Sequence, residues 1–317
     1  MNCLYCGKPL PLAQTADGWH RACGRRFFGT TAMPIIDLSE ETFEHLAEAS
    51  VNMGYTMPGV QKKLSLHLLT EGTPRLTMMN YPAGFILKPQ VKEFTALPES
   101  EHLTMSMADA CGIQTVPHAL VRAGDVLAYI TRRVDRILAL DSPAGLLAME
   151  DFCQLDLRLT QDKYRGSYER CAGIIIRHSS RQGLDLTEMY LRLAFSFLVG
   201  NSDMHLKNFS LLETEAGSGR YILSPAYDLL PVNVIMPEDT EEFALTMNGK
   251  KRNIRRKDFI IFADYCGIER KPAERMLERL ISLQPGLLAM IGASLLPEML
   301  KKRFSDLLAQ RADAIRP

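Results

Sequence analysis

The 317-residue sequence has no excess of either charge, because 37 Lys and Arg residues balance 37 Asp and Glu residues. This balance excludes a protein whose overall field draws it to nucleic acid or to an anionic membrane, so any such contact has to be local. Long apolar runs are also missing, since "LAFSFLVG" and "LLAMIGASLLP" fall short of the roughly 18 residues of a membrane span. The N-terminus lacks a basic segment followed by an apolar one, as a secretory signal has. We therefore expect a soluble, cytoplasmic globular protein.

Cysteine is scarce and odd in number, with seven residues. Four of them stand singly in apolar surroundings, as reduced core thiols do: Cys111, Cys153, Cys171 and Cys266. This pattern excludes the disulfide framework of a small secreted protein. Internal repeats and low-complexity segments are absent as well, and 46% hydrophobic residues provide for one large core or two ordinary ones.

The other three cysteines lie within residues 1–28, together with the only tryptophan of the chain. The segments "CLYCGKPL" and "GWHRAC" offer a C-x₂-C pair followed by H-x₂-C, formed by Cys3, Cys6, His20 and Cys23. Thiolates and an imidazole at this spacing suit tetrahedral Zn²⁺ and predict a zinc knuckle. The alternative is that the residues pack without metal, although a module this small would then struggle to bury a core.

Two larger regions with different patterns follow this Cys/His module. Residues 29–135 contain short β-type runs, "KLSLHLL", "PRLTMMN", "GFILKP", "HALVRAG" and "DVLAYITRRV", and one helical stretch, "PESEHLTMSMADACG". Residues 136–317 change to helical periods, in "AMEDFCQLDLRL", "DLTEMYLRLAFSFLVG", "RKDFIIFADYCGI", "KPAERMLERLISLQPGLLAMIG" and "LPEMLKKRFSDLLAQRADAI". The sequence thus predicts an α+β protein with a β-rich N-lobe and an all-helical C-lobe.

Local signals add detail to the second region. Asp185, with Glu188 three residues later, has the spacing of a capping box at the start of a helix. The segment "YILSPAYDLLP" is typical of a strand and a turn, and "FALTMNGKKRN" predicts a hairpin on Asn248 and Gly249.

A polar stretch, "GNSDMHLKN", directly follows the apolar end of a predicted helix. Within it Asp203 and Asn208 are separated by the Asp-x₄-Asn interval of the kinase catalytic loop, and Asp228 follows in the apolar run "PAYDLLP". A carboxylate that orients an attacking hydroxyl, followed by an amide oxygen and a second carboxylate that hold Mg²⁺, is what phosphoryl transfer needs. A loop-capping role for Asp203 and Asn208, and a capping role for Asp228, is the alternative.

Phosphoryl transfer also needs a strand lysine for the nucleotide phosphates, and Lys88 lies in the β-type run "GFILKP". Glu99 and Glu101 lie at the start of the lone N-lobe helix. Either could pair with the lysine, or both could simply be first-turn acids that the helix dipole stabilises. Lys88 itself could be an ordinary edge-strand lysine. The order of lysine, glutamate, Asp-x₄-Asn and later aspartate is much rarer than any one of these features, and it predicts a kinase-type site.

The segments "GVQKKLSL", "FILKP", "ITRRVDR", "EDFCQL", "KYRGSY", "GNSDMHLKNFSL" and "PAYDLLP" occur in the order found in the HipA family. The chain resembles these bacterial serine/threonine kinases of toxin–antitoxin systems over about residues 50 to 260. It looks most like the short, HipT-type members of HipBST-like systems. The resemblance implies a bilobal protein-kinase-like fold with ATP between the lobes.

The resemblance also implies roles for individual residues. It makes Asp203 the catalytic base, with His205 and Lys207 completing its loop, Asn208 and Asp228 the Mg²⁺ ligands, and Lys88 the phosphate-binding lysine with Glu101 as its partner. Further ATP contacts are implied for the nucleotide-covering loop Pro58, Gly59, Val60, Gln61, Lys62 and Lys63, for the hinge Arg132, Arg133 and Val134, and for Leu206, Tyr227, Leu229 and Leu230. Three positions depart from the family pattern. Arg132 replaces a residue that is often acidic. Thr56 and Pro58 stand where serines are common, so autophosphorylation would use Thr56.

By the same resemblance, the target is an aminoacyl-tRNA synthetase, whose phosphorylation stops translation and growth. The implied partners are a DNA-binding HipB-type antitoxin and a small HipS-type protein. Two rivals remain: a non-catalytic regulator that binds nucleic acid through the zinc knuckle and the basic run "KKRNIRRK", and a small-molecule kinase on the same scaffold. The basic run could equally be a solvated helix start.

Overall fold

The computed structural model describes residues 1–35, 63–69, 72–77, 83–123, 126–137 and 145–317. They divide into two compact units, the first formed by Met1–His102 with Val116–Leu146 and the second by Leu103–Thr115 with Leu147–Pro317. Among the helices in these ranges, none combines the length and the apolar character that a membrane span requires.

The first unit is built on a five-stranded antiparallel sheet. Its strands are β1 Leu64–Leu69, β2 Arg75–Thr77, β3 Phe85–Pro89, β4 His118–Ala123 and β5 Val126–Arg132. They are ordered β2-β1-β3-β5-β4, so β3 is central and β4 is an edge strand. All five coincide with the β-type runs of the sequence, which confirms that part of the prediction.

The central strand β3 carries Lys88 into the interior of the unit. Lys88 is buried next to the fully buried Leu87, although a charged side chain is seldom buried without a partner. Across the register it faces Tyr129 of β5, and its ammonium lies 5.4 Å from the centroid of that ring. Helix α2, Leu97–Ala110, supplies Glu101 as the ion partner.

Residues 1–28 fold as part of the first unit. They contain a 3₁₀ turn, Leu12–Gln14, and helix α1, Arg21–Phe28. Aromatic rings connect this segment to the sheet, with neighbouring centroids 4.8–5.8 Å apart: Tyr5, Trp19, Phe27, Phe28 and Phe85. A short antiparallel pair, β6 Arg136–Ile137 and β7 Gly145–Leu146, completes the described part of this unit.

The second unit is mainly helical. Its helices are α3 Phe152–Leu155, α4 Tyr168–His178, α5 Gln182–Val199, α6 Val232–Ile235, α7 Arg256–Tyr265, α8 Arg270–Ser282, α9 Gln284–Ala293 and α10 Glu298–Ile315, with 3₁₀ turns Thr160–Asp162 and Leu206–Asn208. A small antiparallel sheet of order β10-β9-β8 accompanies them: β8 Met149–Asp151, β9 Ser210–Glu213 and β10 Tyr221–Leu223. Strand β10 was predicted from "YILSPAYDLLP", whereas β8 and β9 correct the prediction of an all-helical lobe. Helix α5 is the most buried of the long helices and forms the centre of the unit. The four single cysteines are free and buried, as predicted.

Two segments of this unit differ from their predicted form. The run "AMEDFCQLDLRL" has a helical period but forms strand β8 and then a single turn, α3. Asp151 causes the change, because it exchanges capping bonds with Gln154 while its own backbone is extended. Leu157, in left-handed backbone, follows the turn. Helix α4 was not predicted, because its three consecutive isoleucines obscure the helical period of apolar residues.

Asp185 does not cap helix α5, which contradicts the capping-box prediction. The helix begins earlier, at Gln182. Asp185 is fully buried in the first turn, where its Oδ2 accepts bonds from the Ser179 hydroxyl (2.6 Å) and the Leu223 N–H (2.7 Å). Its Oδ1 accepts a bond from Arg181 Nε over 2.8 Å. Three donors offset the cost of burying the charge, so this carboxylate joins strand β10 to helix α5.

Two further predictions change in detail. The helix predicted over "KPAERMLERLISLQPGLLAMIG" is divided into α8 and α9, since Pro285 lacks an N–H and restricts the residue before it. The hairpin predicted on Asn248 and Gly249 shortens to a tight turn closed by one bridge between Met247 and Lys250. Both turn residues have positive φ, at 50° and 75°, as that turn chemistry requires.

Candidate active site

The predicted catalytic loop begins where helix α5 ends. Gly200 has a φ of 70°, and a Cβ there would lie 2.9 Å from Leu307 Cδ2, so only glycine lets the chain leave the helix here. The buried Asn201 donates its N–H to the Ser196 carbonyl over 2.8 Å, and its Oδ1 accepts the Asp203 N–H over 3.3 Å. The buried helix therefore holds the first residues of the loop.

Asp203 and Asn208 lie together in this loop. The side-chain amide of Asn208 donates to the main-chain oxygen of Asp203 over 2.9 Å, and the His205 N–H donates to the same oxygen over 2.8 Å. The Asp203 side chain remains 44% exposed, whereas Asn208 is buried. Because the Asn208 nitrogen is engaged by Asp203, its Oδ1 is the atom suited to bind a cation.

Tyr164 is the closest neighbour of the Asp203 carboxylate. Its hydroxyl donates to Asp203 Oδ1 over 2.7 Å, and its ring lies under the Lys163 ammonium at 4.9 Å. The Lys163 carbonyl accepts the Leu206 N–H over 3.1 Å, which fastens this segment to the loop. Neither Lys163 nor Tyr164 was predicted to have a role, although both belong to the motif "KYRGSY", which was the available signal.

The charges around Asp203 determine its acidity. Burial raises the pKa of the Asp203 carboxyl above its usual value, and the neighbouring charges of Asp228 and Asp239 raise it too. The Tyr164 hydrogen bond and the Lys163 ammonium lower the pKa in opposition. Two carboxylates within electrostatic reach of Asp203 favour a cation near it. Asp239 is a further residue whose role was not predicted from the sequence.

The donor set fits a divalent metal of the Mg²⁺ type, which prefers oxygen ligands. Asp228 has a φ of 60°, left-handed backbone that is uncommon outside glycine and that recurs at functional sites. Its charge acts on both Asp203 and His205, so it lies beside the catalytic loop. Carboxylate and amide oxygens from Asp228 and Asn208, next to clustered negative charge, are what such an ion requires.

His205 is a buried and neutral member of the site. Burial, with a contribution from the Lys163 ammonium, lowers the pKa of its imidazole to about 4. The ring packs edge-on against Tyr164 with centroids 5.1 Å apart, and Nε2 lies 4.0 Å from Asp203 Oδ2. At neutral pH the imidazole therefore supports the carboxylate through packing and dipole rather than through charge.

Lys207 and Tyr227 connect the loop to its surroundings. Lys207 Nζ donates to Asp151 Oδ2 over 2.5 Å, and its carbonyl accepts the Tyr227 hydroxyl over 3.0 Å. That hydroxyl also shares a 2.5 Å hydrogen bond with Ser210 Oγ. The residue before Asp228 is thereby held to the catalytic loop, and the partner role of Asp151 was not predicted. Three other predicted nucleotide contacts are buried or half-buried in the same unit: Leu206, Leu229 and Leu230.

In the first unit, the structure brings Lys88 and Glu101 together. Lys88 Nζ lies 2.6 Å from Glu101 Oε1, with side-chain exposures of 6% and 1%. Glu99 occupies a different position: burial raises the pKa of its carboxyl, and its Oε2 contacts no donor among the described residues. The geometry therefore selects Glu101, not Glu99, as the partner of the lysine.

The remaining predicted nucleotide contacts are described only in part. Residues 58–62 and Thr56 lie outside the described residues, while Lys63 is half-buried directly before β1. At the predicted hinge, the Arg132 N–H donates to the Pro117 carbonyl and the Arg133 N–H to the Gly84 carbonyl, both over 2.9 Å. A purine at this hinge would therefore need other main-chain groups, such as those of Val134.

The basic run 250–257 is largely engaged inside the second unit. Lys250 Nζ lies 2.6 Å from Asp258 Oδ1, and Lys251 Nζ lies 3.2 Å from Glu241 Oε2. Arg256 reaches Glu278 over 3.0 Å, and its exposed fraction is low. These ion pairs favour the structural interpretation of the run over a nucleic-acid-binding patch.

The chain is similar to several known proteins. Putative kinase Y4mE of Sinorhizobium fredii is 28% identical over 233 residues, which cover 71% of this chain and 54% of that protein, so the chain spans about half the length of its relative. A HipA structure, from the Shewanella oneidensis MR-1 toxin–antitoxin complex of HipA, HipB and operator DNA, matches with a TM-score of 0.70 and 19% identity over 89% of this chain and 74% of that chain.

The Helicobacter pylori proinflammatory kinase CtkA matches with a TM-score of 0.53 and 16% identity over 74% of this chain and 89% of that chain. The two structural likenesses show a mixed α/β, kinase-like fold, as the sequence analysis predicted. The sequence profile described as HipA-like C-terminal domain matches residues 55–285, more than half of the chain. This protein therefore belongs to the family of the HipA-like C-terminal domain.

Proposed function

We propose that this protein is an ATP- and Mg²⁺-dependent protein serine/threonine kinase that acts as the toxin of a bacterial toxin–antitoxin system. The observation that carries the proposal is the half-exposed Asp203 carboxylate, which Tyr164 orients while Asn208 folds the loop beneath it. A carboxylate held in this way can accept a hydrogen bond from an acceptor hydroxyl. The family membership and the kinase-like fold support the same reaction class.

In this mechanism Asp203 Oδ1 is engaged by Tyr164, so Oδ2 receives the acceptor hydroxyl. The acceptor oxygen forms a bond to the γ-phosphorus, the bond between that phosphorus and the β,γ-bridging oxygen breaks, and ADP leaves. The hydroxyl proton passes to Asp203, whose raised pKa makes it a better proton acceptor than an ordinary aspartate. A bound Mg²⁺, held by Asn208 and Asp228, would neutralise charge that develops on the phosphates.

The nucleotide contacts extend the proposal to the first unit. Lys88 would bind the phosphates as a point charge, while Glu101 fixes its ammonium at the centre of the sheet. The loop 58–63 would contribute main-chain amides to the phosphates, and the hinge 132–134 would contact the adenine. In the second unit, the proposed nucleotide contacts are Lys207, Tyr227 and the neighbouring leucines.

The partners belong to the same proposal. The HipA structure that this fold resembles was solved with HipB and operator DNA. We infer a HipB-type DNA-binding antitoxin as a partner here, with DNA contacted only through it, and a HipS-type small protein as a second partner of a HipT-type toxin. The proposed acceptor is an aminoacyl-tRNA synthetase, whose modification would arrest translation.

Thr56 is the proposed site of autophosphorylation. It precedes the loop expected to cover the nucleotide, and a phosphoryl group would add about −1.5 to −2 charges there. This charge would repel the phosphates of ATP, so autophosphorylation should inactivate the enzyme. Peptide mass analysis after incubation with Mg²⁺ and ATP tests the assignment, and a chain that stays active and unmodified at Thr56 contradicts it.

The decisive experiment incubates the purified protein with γ-labelled ATP and a bacterial lysate. We expect label on serine or threonine of a protein, and a loss of at least about 100-fold in Asp203→Asn. Asp264→Asn, at an exposed aspartate of helix α7, is the matched control and should label normally. Label on a small molecule instead identifies a small-molecule kinase, and salt-dependent nucleic-acid binding without ATP turnover identifies a regulator; either result overturns the proposal.

A further inference from the structure

Four potential metal ligands converge in the first unit, outside the residues that the family profile matches. We call them the Cys/His cluster: Cys3, Cys6, His20 and Cys23. Their ligand atoms all lie within 4.8 Å of one another, although the residues come from separate segments of the chain. His20 Nδ1 is 3.4 Å from Cys6 Sγ and 3.8 Å from Cys23 Sγ. A tetrahedral zinc site with bonds of about 2.0–2.3 Å requires ligand separations of about 3.5–3.8 Å, so the cluster needs little rearrangement.

We propose that the Cys/His cluster binds one structural Zn²⁺ and that this ion fastens residues 1–28 to the edge strand β4. Three thiolates and one imidazole form the donor set of closed structural zinc sites, which leave no position for a substrate. The proposal concerns stability of the first unit and does not depend on the reaction proposed above.

His20 is already oriented as a zinc ligand. Its Nε2 lies 2.9 Å from the Pro9 carbonyl oxygen. Because a carbonyl can only accept, Nε2 carries the proton and Nδ1 presents its lone pair to the cysteine sulfurs. Metal-bound histidines are held in this way by a second hydrogen bond. The His20 main-chain N–H also points to Cys3 Sγ over 3.4 Å, a donor that suits a thiolate.

The first two ligands lie on a tight turn of the chain. The Cys3 N–H donates to the Lys8 carbonyl over 2.8 Å, and the Gly7 N–H donates to the Cys3 carbonyl over 2.9 Å. Gly7 has a φ of 69°, which lets the turn close directly after Cys6. This geometry presents both sulfurs to one side, where His20 meets them.

The residues next to the ligands contact the sheet edge. Leu4, which follows Cys3, accepts the Leu120 N–H of strand β4 over 3.0 Å. Trp19, which precedes His20, donates its indole N–H to the Leu120 carbonyl over 3.1 Å. Both the N–H and the carbonyl of Leu120 thus bind residues that are adjacent in sequence to metal ligands. An ion that joins Cys3 to His20 would hold both contacts in place and so keep this part of the strand edge covered.

Metal analysis of the full-length protein, purified without chelators, tests the binding. We expect about one Zn²⁺ per chain, and tetrahedral thiolate absorption bands after exchange with Co²⁺. Cys6→Ser should lose the ion, His20→Cys should keep it because it retains four ligands, and Cys266→Ala is the control for a buried thiol outside the cluster. Wild-type protein that contains no zinc and takes up none from solution overturns the proposal, as does a Cys6→Ser protein that keeps its full zinc content.

Hydrogen exchange tests whether the ion holds residues 1–28 to strand β4. Removal of zinc from the wild-type protein should increase the exchange rate of the Leu120 amide by at least about tenfold, while amides at the centre of helix α5 keep their rates. Unchanged protection of Leu120 after complete zinc removal overturns the structural role. This readout requires no kinase activity, so failure of the zinc proposal and failure of the kinase proposal are separate results.

Discussion

The phenolic hydroxyl of Tyr164 donates a 2.7 Å hydrogen bond to the Oδ1 atom of Asp203, across 39 positions of sequence. This bond stabilises the ionised carboxylate, while burial and two nearby carboxylates act against ionisation. The acidity of the proposed catalytic base is therefore a balance: burial and the two carboxylates raise its pKa, and the Tyr164 hydrogen bond and the Lys163 ammonium lower it.

Tyr164→Phe should raise the pKa of Asp203, because it removes the hydrogen bond and leaves the burial unchanged. The acid limb of the rate profile should move to higher pH, with a rate loss on the order of tenfold near neutral pH. Kinase assays across pH check this result. Tyr265→Phe, at an exposed tyrosine, is the control. A Tyr164→Phe enzyme with an unshifted acid limb would show that the bond does not tune the base.

Asp203→Asn should raise thermal stability while it abolishes phosphoryl transfer. The folded state raises the pKa of this acid, so it holds the proton more tightly than the unfolded chain, and ionisation at neutral pH costs stability. The cost is fully present above the folded-state pKa and disappears as pH falls below the unfolded value. Melting curves without Mg²⁺, from about pH 8 down to about pH 4, should show the gain in Tm shrink with acidification. An equal gain at every pH contradicts the assignment.

Glu101→Gln should destabilise the first unit by about 3 kcal/mol, because it removes the charged partner of the buried Lys88 ammonium. ATP affinity should fall with it, since the ammonium then loses its fixed position. Denaturant unfolding and nucleotide titration measure the two effects. Glu93→Gln changes an exposed glutamate of the same unit and should alter neither. Near-normal stability of Glu101→Gln would show that the ion pair is dispensable.

His205 should make the protein sensitive to acid. Its pKa is lowered to about 4 in the folded state, so below about pH 6.5 the unfolded chain gains a proton that the folded protein does not. The stability contribution is present above pH 6.5 and is lost as pH falls, by about 1.4 kcal/mol per pH unit. His205→Asn should reduce this slope in unfolding experiments, whereas His178→Asn, at an exposed histidine, should leave it unchanged. Identical slopes in all three proteins would contradict a buried neutral imidazole.

Local pattern predicted much of the fold and part of the candidate site. The five strands of the large sheet in the first unit, helix α5 and helix α10 follow from side-chain periodicity, which depends only on neighbouring residues. Asp203 and Asn208 were chosen from their spacing, and the structure places them in one turn. The prediction that Asp185 caps a helix was wrong because of tertiary contacts. The Ser179 hydroxyl and the Leu223 N–H bind the carboxylate in the interior, and no local sequence rule includes these donors.

What the sequence determined by itself is therefore the strands of the large sheet, helices α5 and α10, the Asp-x₄-Asn loop and the spacing of the Cys/His cluster. What only the tertiary structure decided is which distant group meets each buried or catalytic side chain. Tyr164 reaches Asp203, Asp151 reaches Lys207 across 56 positions, and Glu101 rather than Glu99 reaches Lys88. The physical reason is that periodicity, capping and turn chemistry act over a few residues. The partner of a buried charge depends instead on which segments pack against each other, and that is a property of the whole fold.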